Sequence, residues 1–162
     1  MRTMLSIFLL SCYSIASWAG DEFKGRVTSV IDGNTIKVLS ADQETYTVLL
    51  HGIDSPDPGQ HFAEQARKYL EDLLLNKEII IQLKGKDRQG NRIGEIHIEG
   101  GAPDPRAEMV RAGFAWTTEP IEALEELKER ARSFGKGLWQ EENHMPPWLY
   151  RRQQSMMQAK SS

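Results

Sequence analysis

Several short polar segments carry residue types that could do chemistry on an oxygen-rich substrate. Asp32-Gly33-Asn34 and Asp54-Ser55-Pro56-Asp57 place carboxylate and amide oxygens in two loops, and Asp87-Arg88-Gln89-Gly90-Asn91, followed by Arg92, adds both signs of charge in another. Carboxylate and amide oxygens can ligate a hard cation, and a carboxylate can also take a proton as a general base. Trp148, Tyr150, Arg151 and Arg152 set aromatics beside cations, which suits base stacking and phosphate contact. Each segment also has a purely structural use. Asp-Gly-Asn is a tight hairpin signal, and the proline loop can cap and launch the helix that follows it. Trp148 can pack back onto the body of the protein and leave its arginines exposed.

The elements that must position these loops follow from periodicity. Gly25 to Ile31, Thr35 to Leu39 and Thr45 to Ile53 read as three strands joined by turns at Asp32-Gly33-Asn34 and Ala41-Asp42-Gln43. Phe62, Ala66, Tyr69, Leu70 and Leu73 fall at helical spacing between Phe62 and Asn76. Glu78 to Leu83 and Ile93 to Ile98 form a two-stranded return. Helices then run from Arg106 to Ala112, stopped by Gly113, and from Ile121 to Phe134, stopped by Gly135. The plan predicts an α+β chain: a five-stranded OB-fold barrel with three helices. Residues 20–150 form its domain, and residues 151–162 a polar tail that frays.

Composition narrows the field. With 20 Lys+Arg against 23 Asp+Glu in 162 residues, the net charge is −3, which excludes a protein that holds nucleic acid by being basic all over. One cysteine excludes a disulfide framework and a cysteine zinc cluster. Arg2, the apolar run from Leu5 to Ile15, and Ser17-Trp18-Ala19 read as an export signal over residues 1–19, cleaved after Ala19. The run is shorter than the ~20 residues of a membrane span, so the mature chain is expected to have none. The expected location is periplasmic or secreted, with lipid anchoring at Cys12 of the loose lipobox Leu9-Leu10-Ser11-Cys12 as the alternative. Cleavage would leave a cysteine-free chain of charge −4.

In order, Val30-Ile31-Asp32-Gly33-Asn34-Thr35, Leu50-His51-Gly52-Ile53-Asp54-Ser55-Pro56-Asp57, Asp87 to Asn91 and Gly137-Leu138-Trp139 resemble the staphylococcal nuclease-like (thermonuclease) family over residues 24–150. Pro146-Pro147-Trp148-Leu149-Tyr150-Arg151-Arg152 is similar to a tail common in bacterial members. The resemblance implies an SNase-like OB-fold and calcium-dependent cleavage of DNA and RNA phosphodiester bonds. It also implies the roles. Asn34, Asp54 and the Ser55 carbonyl would hold Ca²⁺, and Asp57 would be the base that activates water. Apart from the resemblance, the pairing of aromatics with cations makes Trp148, Tyr150, Arg151 and Arg152 candidate weak nucleic-acid contacts.

Four positions depart from the family pattern. Asn34 stands where an aspartate is usual, and Asp57 where a glutamate is, one methylene shorter. The two phosphate-clamping arginines are matched by Leu49 and Asn91, with Arg92 one place beyond. A one-residue slip would bring Arg92 in as a displaced catalytic cation; on an unshifted strand it faces the other way. His51 shares the strand parity of Leu49 and could donate a hydrogen bond near the site, although a lone histidine is more often structural. The expectation is an exported, weak or inactive nuclease retained to bind DNA, RNA or a protein partner. The alternative is an active calcium-dependent nuclease using Asp54, Asp57, Asn34 and Arg92.

Overall fold

The computed structural model describes residues 21–161, so the expected signal segment and Cys12 lie outside the described residues. In chain order the elements are β1 (Glu22–Asp32), β2 (Thr35–Ser40), β3 (Thr45–Leu50), β4 (Ile53–Asp54), α1 (Ala63–Leu74), β5 (Glu78–Lys86), β6 (Arg92–Ile98), α2 (Pro105–Arg111), β7 (Trp116–Thr117), α3 (Glu122–Ser133) and α4 (Pro147–Ser161). A 3₁₀ turn, Gly137–Gln140, separates α3 from α4. The barrel closes in the order β1-β2-β3-β6-β5, antiparallel except where β3 meets β6. This is the α+β, OB-type barrel expected from the sequence.

Alternation along the strands explains the core. Val27, Ile36, Val38, Val48, Leu50, Ile79, Ile81 and Ile96 all point inward and are essentially inaccessible. Ala66, Leu70 and Leu74 repeat at helical spacing and seat α1 against β1. Met109 and Val110 of α2 and Leu124 of α3 extend the same core.

Two elements differ from the expected plan, and both shape the site. The third strand does not continue to Ile53. Gly52 adopts φ +78°, a left-handed conformation that turns the chain out of the barrel. Ile53 and Asp54 then pair with Thr117 and Trp116 of β7. At the other end, the stretch read as a polar tail is a fourth helix. Pro147 sits at its first position, where a missing N–H costs nothing. Its apolar residues Leu149, Met156 and Met157 are exposed rather than forming a buried stripe, so periodicity gave no sign of it.

Arg92 shares the inward strand face of Gly94 and Ile96 and sits beside buried Val48, so parity without a slip points it into the barrel and away from the outer face that carries Leu49 and Ile93. Its guanidinium stacks 3.2 Å from the Tyr46 ring centroid and 4.8 Å from that of Phe23. This corrects the assignment of Arg92 as a displaced catalytic cation: β6 pairs in regular register with β3, so no slip turns it to the outer face beside Leu49. Arg92→Ala should therefore lower stability by about 1 kcal/mol, the scale of a partly desolvated cation–π contact, and leave activity unchanged. Chemical denaturation beside a hydrolysis assay checks both halves.

Candidate active site

The site begins at the β1–β2 turn. Gly33 has no room for a side chain, because a Cβ there would fall 2.6 Å from Ser55 Cβ and 2.9 Å from Ala66 Cβ. Glycine thus lets the turn press against the loop ahead of α1. Asp32 Oδ1 accepts from the Asn34 N–H at 2.9 Å, and Asn34 Oδ1 accepts from the Ser55 N–H at 3.1 Å. The turn and the proline loop are stitched together by these bonds. Asp54 is fixed by pairing with Trp116, and the backbone of Asp57 is locked to Gln60, whose Oε1 accepts its N–H at 2.9 Å. The proline loop does not cap α1; the residue at that helix start is Phe62, which supplies no side-chain cap.

Into this frame α4 delivers a cation. Arg151 Nη2 lies 2.6 Å from Asp54 Oδ2, and Nη1 lies 2.9 and 3.1 Å from the two oxygens of Asp57. The guanidinium bridges both carboxylates at one wall of a cleft of about 460 Å³ that Asp32 and Asn34 also line. Further walls come from Leu49 and Ile93, from Gln89, and from His51 with Glu119.

The charge balance of the cleft is negative. Burial pushes the Asp54 carboxyl above its ordinary value, and the Asp57 and Asp32 charges add to that against the opposing pull of Arg151. Burial likewise raises Asp32; bonds from Asn34 and Thr35 oppose it, and Asp57 adds to it. Ionised Asp32 is thus disfavoured in the fold. Its proton is held more tightly folded than unfolded, so stability falls as pH rises from 3.8 through the raised folded value. Asp32→Asn should raise the melting temperature at pH 7 and lose that gain near pH 3, below both values, in a thermal scan at the two pH values.

Asp54, Asp57 and Asn34 are therefore gathered in one cleft, with Ser55 buried beside them. Asn91 is not part of it: its amide is spent on Asp87, with Nδ2 donating at 2.8 Å. Trp148 and Tyr150 serve to seat α4. Trp148 stands edge-on to Trp116 at 6.3 Å, and the Tyr150 hydroxyl packs over Gly59. Arg152 is exposed on the same helix. Asp32, Glu119 and the bridging role of Arg151 were not assigned from the sequence. Asp32 was hidden by its turn-forming role, and Arg151 by the 94 residues that separate it from Asp57.

The donor set is all oxygen, of the kind a hard divalent cation takes, and the excess negative charge would be relieved by one. Among the described residues, however, no three His, Cys, Asp or Glu side chains converge as a ready-made metal cage.

Comparison with known proteins agrees with this geometry. The family described as staphylococcal nuclease homologue matches residues 47–141. A micrococcal nuclease of Shigella flexneri is 34% identical over 86% of this chain and 85% of its own. Protein ParB of Escherichia coli is 32% identical over 89% and 88%, and an uncharacterized endonuclease of Escherichia coli O157:H7 is 30% identical over 80% and 86%. With its barrel, its ordered motifs and this span of similarity, the chain belongs to the staphylococcal nuclease family.

Proposed function

We propose that the protein is an exported nucleic-acid phosphodiesterase of slow turnover, in which Arg151 supplies the guanidinium that Leu49 and Asn91 do not. The observation that carries this reading is the bridge from Arg151 to Asp54 and Asp57. The names of the relatives, nuclease and endonuclease, support the reaction class.

The chemistry asks for three things: a cation against the phosphate, a base for water, and donors for the charge that develops on the oxygens. Arg151 is half exposed, so part of its guanidinium fork stays open to a phosphate while the rest holds the carboxylates. Asp57, aligned by Gln60, takes the proton from the attacking water. Asn34, Asp54 and the Ser55 carbonyl would hold Ca²⁺, which when bound would neutralise and polarise the phosphate. Asp57 reaches one methylene less far than a glutamate, and Asn34 gives the metal no charge. Leu49 and Ile93 place an apolar wall where a second arginine would stand. Each change lowers the rate, and a misplacement of about 1 Å alone can cost about 10²-fold.

The test uses the purified protein with single-stranded DNA and with RNA, in millimolar calcium and then in chelator. Slow shortening of either strand is expected, abolished by chelation and by the Asp54→Ala, Asp57→Ala double substitution. Undiminished cleavage by that double variant would overturn the site. The apolar wall favours one second reading, polynucleotide binding without hydrolysis. Salt-sensitive binding with no cleavage would establish it.

A further inference from the structure

His51 lines the same cleft, two residues beyond Leu49 at the end of β3. Its ring lies between two carboxylates of different character. On one side Nδ1 is buried and, among the described residues, without a hydrogen-bond partner, 3.7 Å from Glu95 Oε1. Glu95 is fixed from behind by Arg106 at 3.2 Å and Lys84 at 3.5 Å. Arg106 is itself almost fully buried, paired with Asp104, and donates from Nη1 to the His51 carbonyl at 3.4 Å. Burial pushes the Glu95 carboxyl up, but Arg106 and Lys84 outweigh it and leave Glu95 below its ordinary value, hence ionised.

On the other side Nε2 lies 3.0 Å from Glu119 Oε1. Glu119 follows β7 and is half exposed, so a ligand entering the cleft can displace it. One ring nitrogen thus faces a fixed, partly buried anion, and the other faces a replaceable acceptor at the cleft. That asymmetry is the arrangement of a proton donor.

Resting on the phosphodiesterase reading, we infer that His51 is the general acid of the reaction. Water adds to phosphorus and gives its proton to Asp57. The bond from phosphorus to the leaving nucleoside oxygen breaks, with the electron pair staying on that oxygen. The oxygen then takes the Nε2 proton of the His51 imidazolium, with Glu119 displaced. The proton acquired by Asp57 returns to His51 through solvent, which closes the cycle.

A leaving group that needs no proton separates this role from a structural one. His51→Gln should lower cleavage of a dinucleotide, whose leaving oxygen is an alkoxide, by about 10²-fold, the low end for general acid catalysis. It should change cleavage of a 4-nitrophenyl phosphodiester, whose leaving phenolate is stable unprotonated, by less than about 3-fold, since no proton transfer is then required. His51→Asn gives the same split if glutamine is not tolerated, and the nitrophenyl ester itself reports that the site is folded. Equal losses on the two esters, or no loss on either, would overturn the role of His51 and leave the phosphodiesterase reading intact. A wild-type protein that cleaves neither ester would overturn that reading and this inference with it.

Discussion

Under the proposed function, Arg151→Ala should lower phosphodiester hydrolysis by about 10²–10³-fold, the loss typical of removing one donor aimed at developing charge. Arg151 is the guanidinium that touches both Asp54 and Asp57, and the apolar wall of Leu49 and Ile93 offers no substitute. Stability should hardly change, because half-exposed ion pairs contribute only about 0.2–1 kcal/mol. The effect reaches the acids as well. Arg151 opposes the burial that raises the Asp54 carboxyl, so its removal moves that carboxyl further up and shifts the acid limb of the rate profile to higher pH. Arg151→Lys should recover only part of the rate, since a point charge cannot span two carboxylates as a planar fork does. Measured kcat/KM beside a denaturation curve decides the matter: hydrolysis unchanged in Arg151→Ala would leave the residue as a mere counter-ion.

The second large effect is on the fold. Gly113 has φ +77°, and a Cβ there would run into the carbonyl of Lys136, while Gly137 meets the Gly113 carbonyl in the same way from the opposite side. The Leu138 N–H donates to that Gly113 carbonyl at 2.9 Å, so two backbone segments cross with no space for a side chain. Gly113→Ala should cost about 3 kcal/mol or more, combining left-handed strain with a backbone clash that no rotamer relieves. The damage is also aimed at the site. Residues 116–117, which pair with Ile53 and Asp54, begin three positions later. Urea unfolding followed by tryptophan fluorescence checks the loss; a change within about 0.5 kcal/mol, the level of an ordinary surface substitution, would contradict it.

The barrel was legible because its strands obey period two around Val27, Ile36, Val38, Val48 and Ile81, and because glycine turns punctuate them. The placement of Asp54, Asp57 and Asn34 in one cleft followed from motif order. What stayed hidden was long-range. Nothing local in Arg151 says that its helix folds back over a loop 94 residues earlier. Arg92 shows the converse: it is one place from a motif position, yet Phe23 of β1 and Tyr46 of β3 hold it on the inward face of the barrel, away from the cleft. Gly52 ended the third strand early through backbone conformation, which side-chain patterning does not encode.

The acids of the cleft and its cation are held with unequal firmness. Asp54 is held by the pairing of β4 with β7 and Asp57 by Gln60, whereas the helix carrying Arg151 buries only Pro147 fully and leaves Trp148 and Leu149 partly exposed. A folded molecule and a molecule with an assembled site are then separate populations, joined by the seating equilibrium of one helix. Any ligand that needs Arg151 binds with an affinity reduced by the fraction of seated chains. Because ion pairs contribute to that seating, ionic strength sets this fraction too. Added salt should quicken amide exchange along residues 147–161 while the strands stay protected.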